Sequence, residues 1–164
     1  YPLPEAQLDR FMFNVILDYL PEDDEVEVVV RTTAAPTPGP EPIFDGADVL
    51  RIHEVVRKVP VAEDVVRYAV RLAAASRPHR QGSLEFIDQL VSWGAGTRAA
   101  QNLILGGKAR ALLDGRTHVT IEDVQSLVHC TLRHRILVGY RAEAEGVSVE
   151  QVIDRLLESV PTAS

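Results

Sequence analysis

Residues 34–46, AAPTPGPEPIFDG, carry proline at positions 36, 38, 40 and 42. Proline at every second position removes the amide donors that a helix or a strand ladder needs, and it biases each preceding residue away from the helical region. No regular element crosses such a stretch. The chain therefore divides into a part before it and a part after it, joined by a linker.

Before the linker, residues 11–17, FMFNVIL, form a nearly unbroken apolar run. That is the pattern of a strand buried on both faces of a parallel sheet. A strand of this kind needs neighbours, and no second run with βαβ spacing occurs in the chain. The reading is of one strand left from a larger α/β unit. A first residue that is Tyr rather than Met, with no basic or apolar leader after it, fits an excised piece of a longer protein. Pro21, followed by Glu22, Asp23, Asp24 and Glu25, marks a helix start, with acids at the positive end of the dipole.

After the linker the apolar period becomes helical. Val49, Ile52, Val56 and Val59 share one face, as do Val65, Val66, Ala69, Leu72 and Ala73 in the segment after Pro60. Residues 77–96 are mixed, with RPHRQGS a loop and GAG the entry to the next helix, which the pattern places over 97–113. Gly106 and Gly107 sit in its middle, each weakening it by about 1 kcal/mol relative to alanine. Thr120 to Asp123 resembles a capping box for a helix whose core face is Val124, Leu127, Val128 and Leu132. Ser148 to Gln151 is a cleaner box and introduces Val149, Val152, Ile153, Leu156, Leu157 and Val160, spaced by three and four. From residue 47 onward the prediction is an all-α bundle.

Composition narrows the function classes. The 46% of apolar residues suffices for a core, and no apolar stretch approaches the roughly 18 residues of a membrane span. A net charge of −7, from 17 basic and 24 acidic residues, argues against broad contact with a nucleic-acid backbone. The single cysteine, Cys130, rules out an internal disulfide and fits a reducing cytoplasm.

No G-x-x-x-x-G-K-[ST] phosphate loop occurs; GGKAR at 106–110 has a lysine but neither the glycine spacing nor the following hydroxyl. Histidines 53, 79, 118, 129 and 134 suggest no shared metal, because His129 and His134 on one helix stand about 140° apart. No serine, nor Cys130, stands in a nucleophile elbow. The basic cluster Arg133, His134, Arg135 and Arg141 reads as a partner-facing or internal ion-pair face. On composition alone, Arg10 beside the apolar run and Arg98 in the first turn after WGAG are ordinary solvated or ion-pairing arginines.

Taken together, four stretches resemble the MoxR-type AAA+ ATPases, in that family's order and over nearly the whole chain. YPLPEAQLDRF is similar to the end of the ATPase core. GAGTRAAQNL is similar to the sensor 2 motif, commonly G-A-S-[PT]-R-A. GRTHVTIEDV and LRHRILVGYRAEAEGVSVEQVI are similar to the rest of the lid.

The resemblance implies a mainly α fold: a short α/β core remnant at 1–33, the linker at 34–46 and an all-α lid at 47–164. It implies that Arg10 is an arginine finger reaching ATP in a neighbouring subunit. Arg98 is then the sensor 2 arginine, reaching the γ-phosphate in its own subunit, with Thr97 beside it. Both roles suit phosphoryl transfer, which is catalysed largely by positioning and by cations. The parent protein would use ATP and Mg²⁺ in a ring, expected to be a hexamer, for chaperone-like remodelling of partners, among them von Willebrand A domain proteins. The chain alone is expected to bind no cofactor and to be inactive.

Two departures stand out. Gly96 replaces a serine that would cap the helix, leaving Thr97 as the substitute. Gly106 and Gly107 interrupt a helix the family fills with better formers. The competing reading is a helical interaction module with no nucleotide role, and a phosphate loop upstream of Tyr1 discriminates between the two.

Overall fold

Residues 3–35 and 39–162 are described by a computed structural model, so Pro36 and Pro38 of the linker lie outside the described residues. Among the described residues two helices precede the Pro-rich stretch, α1 (Glu5–Leu8) and α2 (Glu22–Thr33). Beyond it come α3 (Gly46–Lys58), α4 (Glu63–Ala75), α5 (Glu85–Leu90), β1 (Val91–Trp93), α6 (Thr97–Leu113), α7 (Ile121–Ser126), α8 (Val128–Leu132), β2 (Leu137–Val138), α9 (Tyr140–Glu145) and α10 (Val149–Ser159). Among the described residues no helix is long and apolar enough to cross a membrane.

The core forms where helical apolar faces meet. Tyr68, Leu72 and Ala73 of α4, Ala99 and Leu103 of α6, Val124 of α7, Val128 and Leu132 of α8, and Val152, Ile153 and Leu156 of α10 are all buried. Each of the buried Val, Leu and Ile side chains contributes about 1.5–3 kcal/mol by leaving water. Capping decides where several helices begin. Asp45 with Asp48, Thr120 with Asp123, and Ser148 with Gln151 each close a reciprocal box, satisfying orphan amides at both positions. α9 ends at Gly146, whose φ of 68° is left-handed and suits glycine.

The mainly α reading holds, and α6 spans the residues the spacing predicts. Three details differ from the sequence reading. First, 11–17 form no strand: Val15, Ile16 and Leu17 are 70%, 64% and 89% exposed. Without a neighbouring strand the backbone bonds elsewhere, Asn14 N–H to the Cys130 carbonyl and the Asn14 carbonyl to Arg133 Nη1, so the segment lies as an extended strap along α8. Second, the region after residue 47 is not purely helical. β1 and β2 pair antiparallel, Val91 opposite Val138 and Trp93 opposite Leu137. Just past β1, Gly94 meets the Ser76 carbonyl so closely that no Cβ would fit there. Third, the helix predicted after Thr120 is broken at Leu127 into α7 and α8.

The helices nearest the linker are the least buried. α2 buries no residue, and on α3 Val49 and Ile52 stay 44% and 45% exposed, the predicted face reaching the core only at Val59.

Candidate functional site

α6 starts where the chain leaves β1 through Gly94, Ala95 and Gly96. Its N-cap is Gly96, which offers no side-chain acceptor. Thr97 is exposed, and its hydroxyl forms no hydrogen bond among the described residues, so it does not replace the missing cap. Ala99 N–H donates to the Gly96 carbonyl, so the amides of Thr97 and Arg98 are the ones that open this 17-residue helix without a partner among the described residues, at the positive end of its dipole.

Arg98 stands in this first turn. Its side chain is 46% exposed, and Nη1 donates to Asp9 Oδ2 at 2.5 Å. Asp9 is 89 residues away in sequence and immediately precedes Arg10. Arg10 is exposed, and no ion pair holds its side chain among the described residues. The fold thus brings Arg98 onto the carboxylate of the residue that precedes Arg10, an acid that the sequence reading did not single out.

A third arginine fixes that carboxylate. Arg135 has a side chain only 1% exposed, and its Nε donates to Asp9 Oδ1 at 2.9 Å. Its other nitrogens donate to the carbonyls of Asp9, Phe11, Met12 and Thr131. Burial pulls the Arg135 pKa down, opposed by the bond to Asp9. His134 binds the same strap. Because a carbonyl only accepts, its Nε2 donates to the Phe11 oxygen at 3.1 Å, and burial together with neighbouring Arg135 lowers its pKa. The hydrogen bonds a strand would give to a sheet go instead to side chains of the basic cluster.

The remaining basic residues are also internally paired. Arg133 Nε lies 2.7 Å from Glu150 Oε1, and His129 contacts Glu150 and, at 3.0 Å, Asp154. Burial raises the Glu150 pKa, but Arg133 and His129 outweigh it and hold the carboxyl below its usual range. This is the internal ion-pair reading of the cluster. Among the described residues no group of three or more His, Cys, Asp or Glu is placed to hold a metal ion. Cys130 donates to the Leu127 carbonyl, and burial raises its thiol pKa.

Two open clefts flank the α6 start. One, about 630 Å³, is lined by Asp9, Trp93, Gly96, His134 and Arg135 among others. The second, about 420 Å³, lies between Arg77, His79, Arg80, Trp93 and Thr97. Trp93, 68% exposed, borders both. Arg77 Nε donates to the Ala95 carbonyl at 2.8 Å and so steadies the turn that aims α6. This rim of cations, the start of α6 and an exposed indole suits a multiply charged anion. Asp9 and Trp93 carry no local motif, which is why spacing alone did not find them, and Arg135 stood out in the sequence only as one of the basic cluster.

Comparison with known proteins gives a consistent picture. The AAA lid domain model matches residues 85–156. The chain is 36% identical to Chaperone MoxR1 of Mycobacterium tuberculosis over 160 residues, covering 98% of this chain and 42% of that protein. It is 29% identical to the uncharacterized protein YeaC of Bacillus subtilis over 161 residues, covering 48% of YeaC. The crystal structure of a candidate ATPase from Cytophaga hutchinsonii superposes with a TM-score of 0.91 at 38% identity, over 98% of this chain and 49% of that one. The chain therefore spans about half the length, or less, of the relatives it matches.

Proposed function

The chain belongs to the MoxR-type AAA+ ATPases, whose lid-bearing portion it matches, and from that premise we propose that it serves ATP through Arg98 in its own subunit and Arg10 in a neighbouring one. On this reading residues 1–33 complete an ATPase core, 34–46 connect it to the lid, and 47–164 are the lid. The whole protein works as a ring, a hexamer, in a reducing cytoplasm. It couples ATP hydrolysis to chaperone-like remodelling of protein partners, with von Willebrand A domain proteins as the first to test.

The observation that carries the reading is the position of Arg98: a half-exposed guanidinium in the first turn of α6, paired with Asp9, the residue that precedes Arg10. The fit to a nucleoside triphosphate is electrostatic. The amides of Thr97 and Arg98, the helix dipole and a cation on an exposed arm would converge on phosphate oxygens at the α6 start. Bound Mg²⁺ would neutralise phosphate charge, and its ligands would come from outside this chain's described residues. Arg98 would orient the terminal phosphate from the lid side and tie lid closure to its presence. Arg10, without a competing ion pair, is free to reach a partner's site and stabilise charge on the transferring group. By itself the chain carries no phosphate loop and should not turn over ATP.

The test uses the full-length protein. Arg10→Ala should lower ATP turnover by about 10³-fold, the lower end of what an arginine finger supplies, and Arg98→Ala by about 10²-fold or more. Mixing Arg10→Ala subunits with subunits disabled in their own nucleotide site should restore part of the activity, because each supplies what the other lacks. Parental turnover in either single variant would sink the site assignment and favour an interaction module without a nucleotide role.

A further inference from the structure

We propose that Asp9 is a positioning residue: its carboxylate holds Arg98 away from the nucleotide, and ATP must compete Arg98 off it. The proposal rests on the reading of Arg98 given above. The two arginines on Asp9 are held very unequally. Arg135 is buried and spends its nitrogens on Asp9 Oδ1 and on the carbonyls of Asp9, Phe11, Met12 and Thr131, so it stays in place. Arg98 is nearly half exposed, reaches Asp9 Oδ2 through Nη1, and has no other hydrogen-bond or ion-pair partner among the described residues. One carboxylate oxygen is thus permanently engaged and the other exchangeable.

A triphosphate offers Arg98 more negative charge and more acceptor oxygens than one carboxylate oxygen does. The exchange therefore runs toward nucleotide when it is present and back to Asp9 when it leaves. Asp9 is bonded to Arg10, and its backbone carbonyl is one of the acceptors of Arg135. When Arg98 departs, the Asp9 side chain loses one of its two arginine partners, while Arg135 keeps the carbonyls of Asp9 and Phe11. The occupancy of one subunit's own site is thereby transmitted to the residue that serves its neighbour. Gating of this kind is built from geometry alone: a shared acceptor, one fixed donor and one movable donor.

Binding of a non-hydrolysable ATP analogue to the full-length protein tests this. Asp9→Asn should tighten the dissociation constant about 2- to 5-fold, the worth of an exposed ion pair, with a smaller change in kcat. In an Arg98→Ala background the same substitution should give no gain, and Asp9→Glu, which keeps the charge, should retain parental affinity. Unchanged or weaker binding by Asp9→Asn overturns the proposal. So does an equal gain without Arg98, or an equal gain from Asp9→Glu.

The outcomes separate the two levels of inference. If Arg98→Ala binds as tightly as the parent, both the role of Arg98 and that of Asp9 fall. If Arg98→Ala binds weakly while Asp9→Asn is unchanged, only the Asp9 proposal falls. Asp9→Asn should fold, since Arg135 keeps its four carbonyl acceptors. A measurement that leaves Asp9 intact guards against the opposite: hydrogen exchange of residues 9–11 should quicken when the analogue binds rings carrying Arg10→Ala, where a neighbour's nucleotide cannot shield them. Unchanged exchange overturns the proposal.

Discussion

Replacing Gly107 by alanine sets two effects of opposite sign against each other. Helix propensity predicts a gain of about 1 kcal/mol, because glycine in a helix interior is that much worse than alanine. Packing predicts a loss. A Cβ built on Gly107 would lie 2.9 Å from Val119 Cγ1 and 3.6 Å from Asp123 Cβ. The second contact is ordinary, but the first requires Val119 to move. Val119 is 3% exposed and branched at Cβ, so it has few rotamers to turn into.

Overpacking of this kind costs about 1–3 kcal/mol, which outweighs the propensity gain and leaves Gly107→Ala about 1 kcal/mol less stable. For a chain of this size that lowers Tm by about 2–4 °C, whereas propensity alone would raise it by as much. Circular dichroism melting resolves the difference. The double variant sharpens it: in a Val119→Ala background the clash is gone, and Gly107→Ala should become stabilising. A rise in Tm for the single variant, or the same change in both backgrounds, would refute the packing argument.

Two more stability outcomes follow from particular contacts. At Gly94, alanine would press its Cβ into the Ser76 backbone carbonyl, an atom that cannot rotate aside, so Gly94→Ala should disrupt the β1 turn and cost more than Gly107→Ala in the same melt. Asp123 is 2% exposed; the Arg116 guanidinium, with the Thr120 amide, holds its carboxyl below the usual range against burial. A carboxylate whose folded pKa is depressed stabilises the fold above its unfolded value, about 4, and that contribution is lost as pH falls from there through the folded value. Acid titration followed by circular dichroism should therefore show stability falling below about pH 4, and Asp123→Asn should flatten that fall. An unchanged acid limb in the variant would show that Asp123 does not contribute.

Much of the fold was legible because its signals are local. The box at Ser148 and the three-and-four spacing from Val149 to Val160 specify α10, since caps and apolar period act within a few residues of one another. The same holds for the bounds of α6 and for the helix start at Pro21. Arg10 and Arg98 were singled out only through resemblance, because a lone arginine carries no local mark of what it will meet.

What tertiary structure decided is where long-range partners compete for groups whose local preference is plain. Residues 11–17 have the composition of a strand, yet a strand exists only where another supplies its hydrogen bonds; here Arg133, His134 and Arg135 take the carbonyls instead. Gly106 and Gly107 look like flaws in a helix until α7, Val119 and the Phe13 side chain are seen pressed against them. Asp9 is one acid among 24 acidic residues in the sequence. Only the fold, by bringing Arg98 and Arg135 to its two oxygens, makes it the link between those two arginines, since ion pairing depends on distance in space and not along the chain.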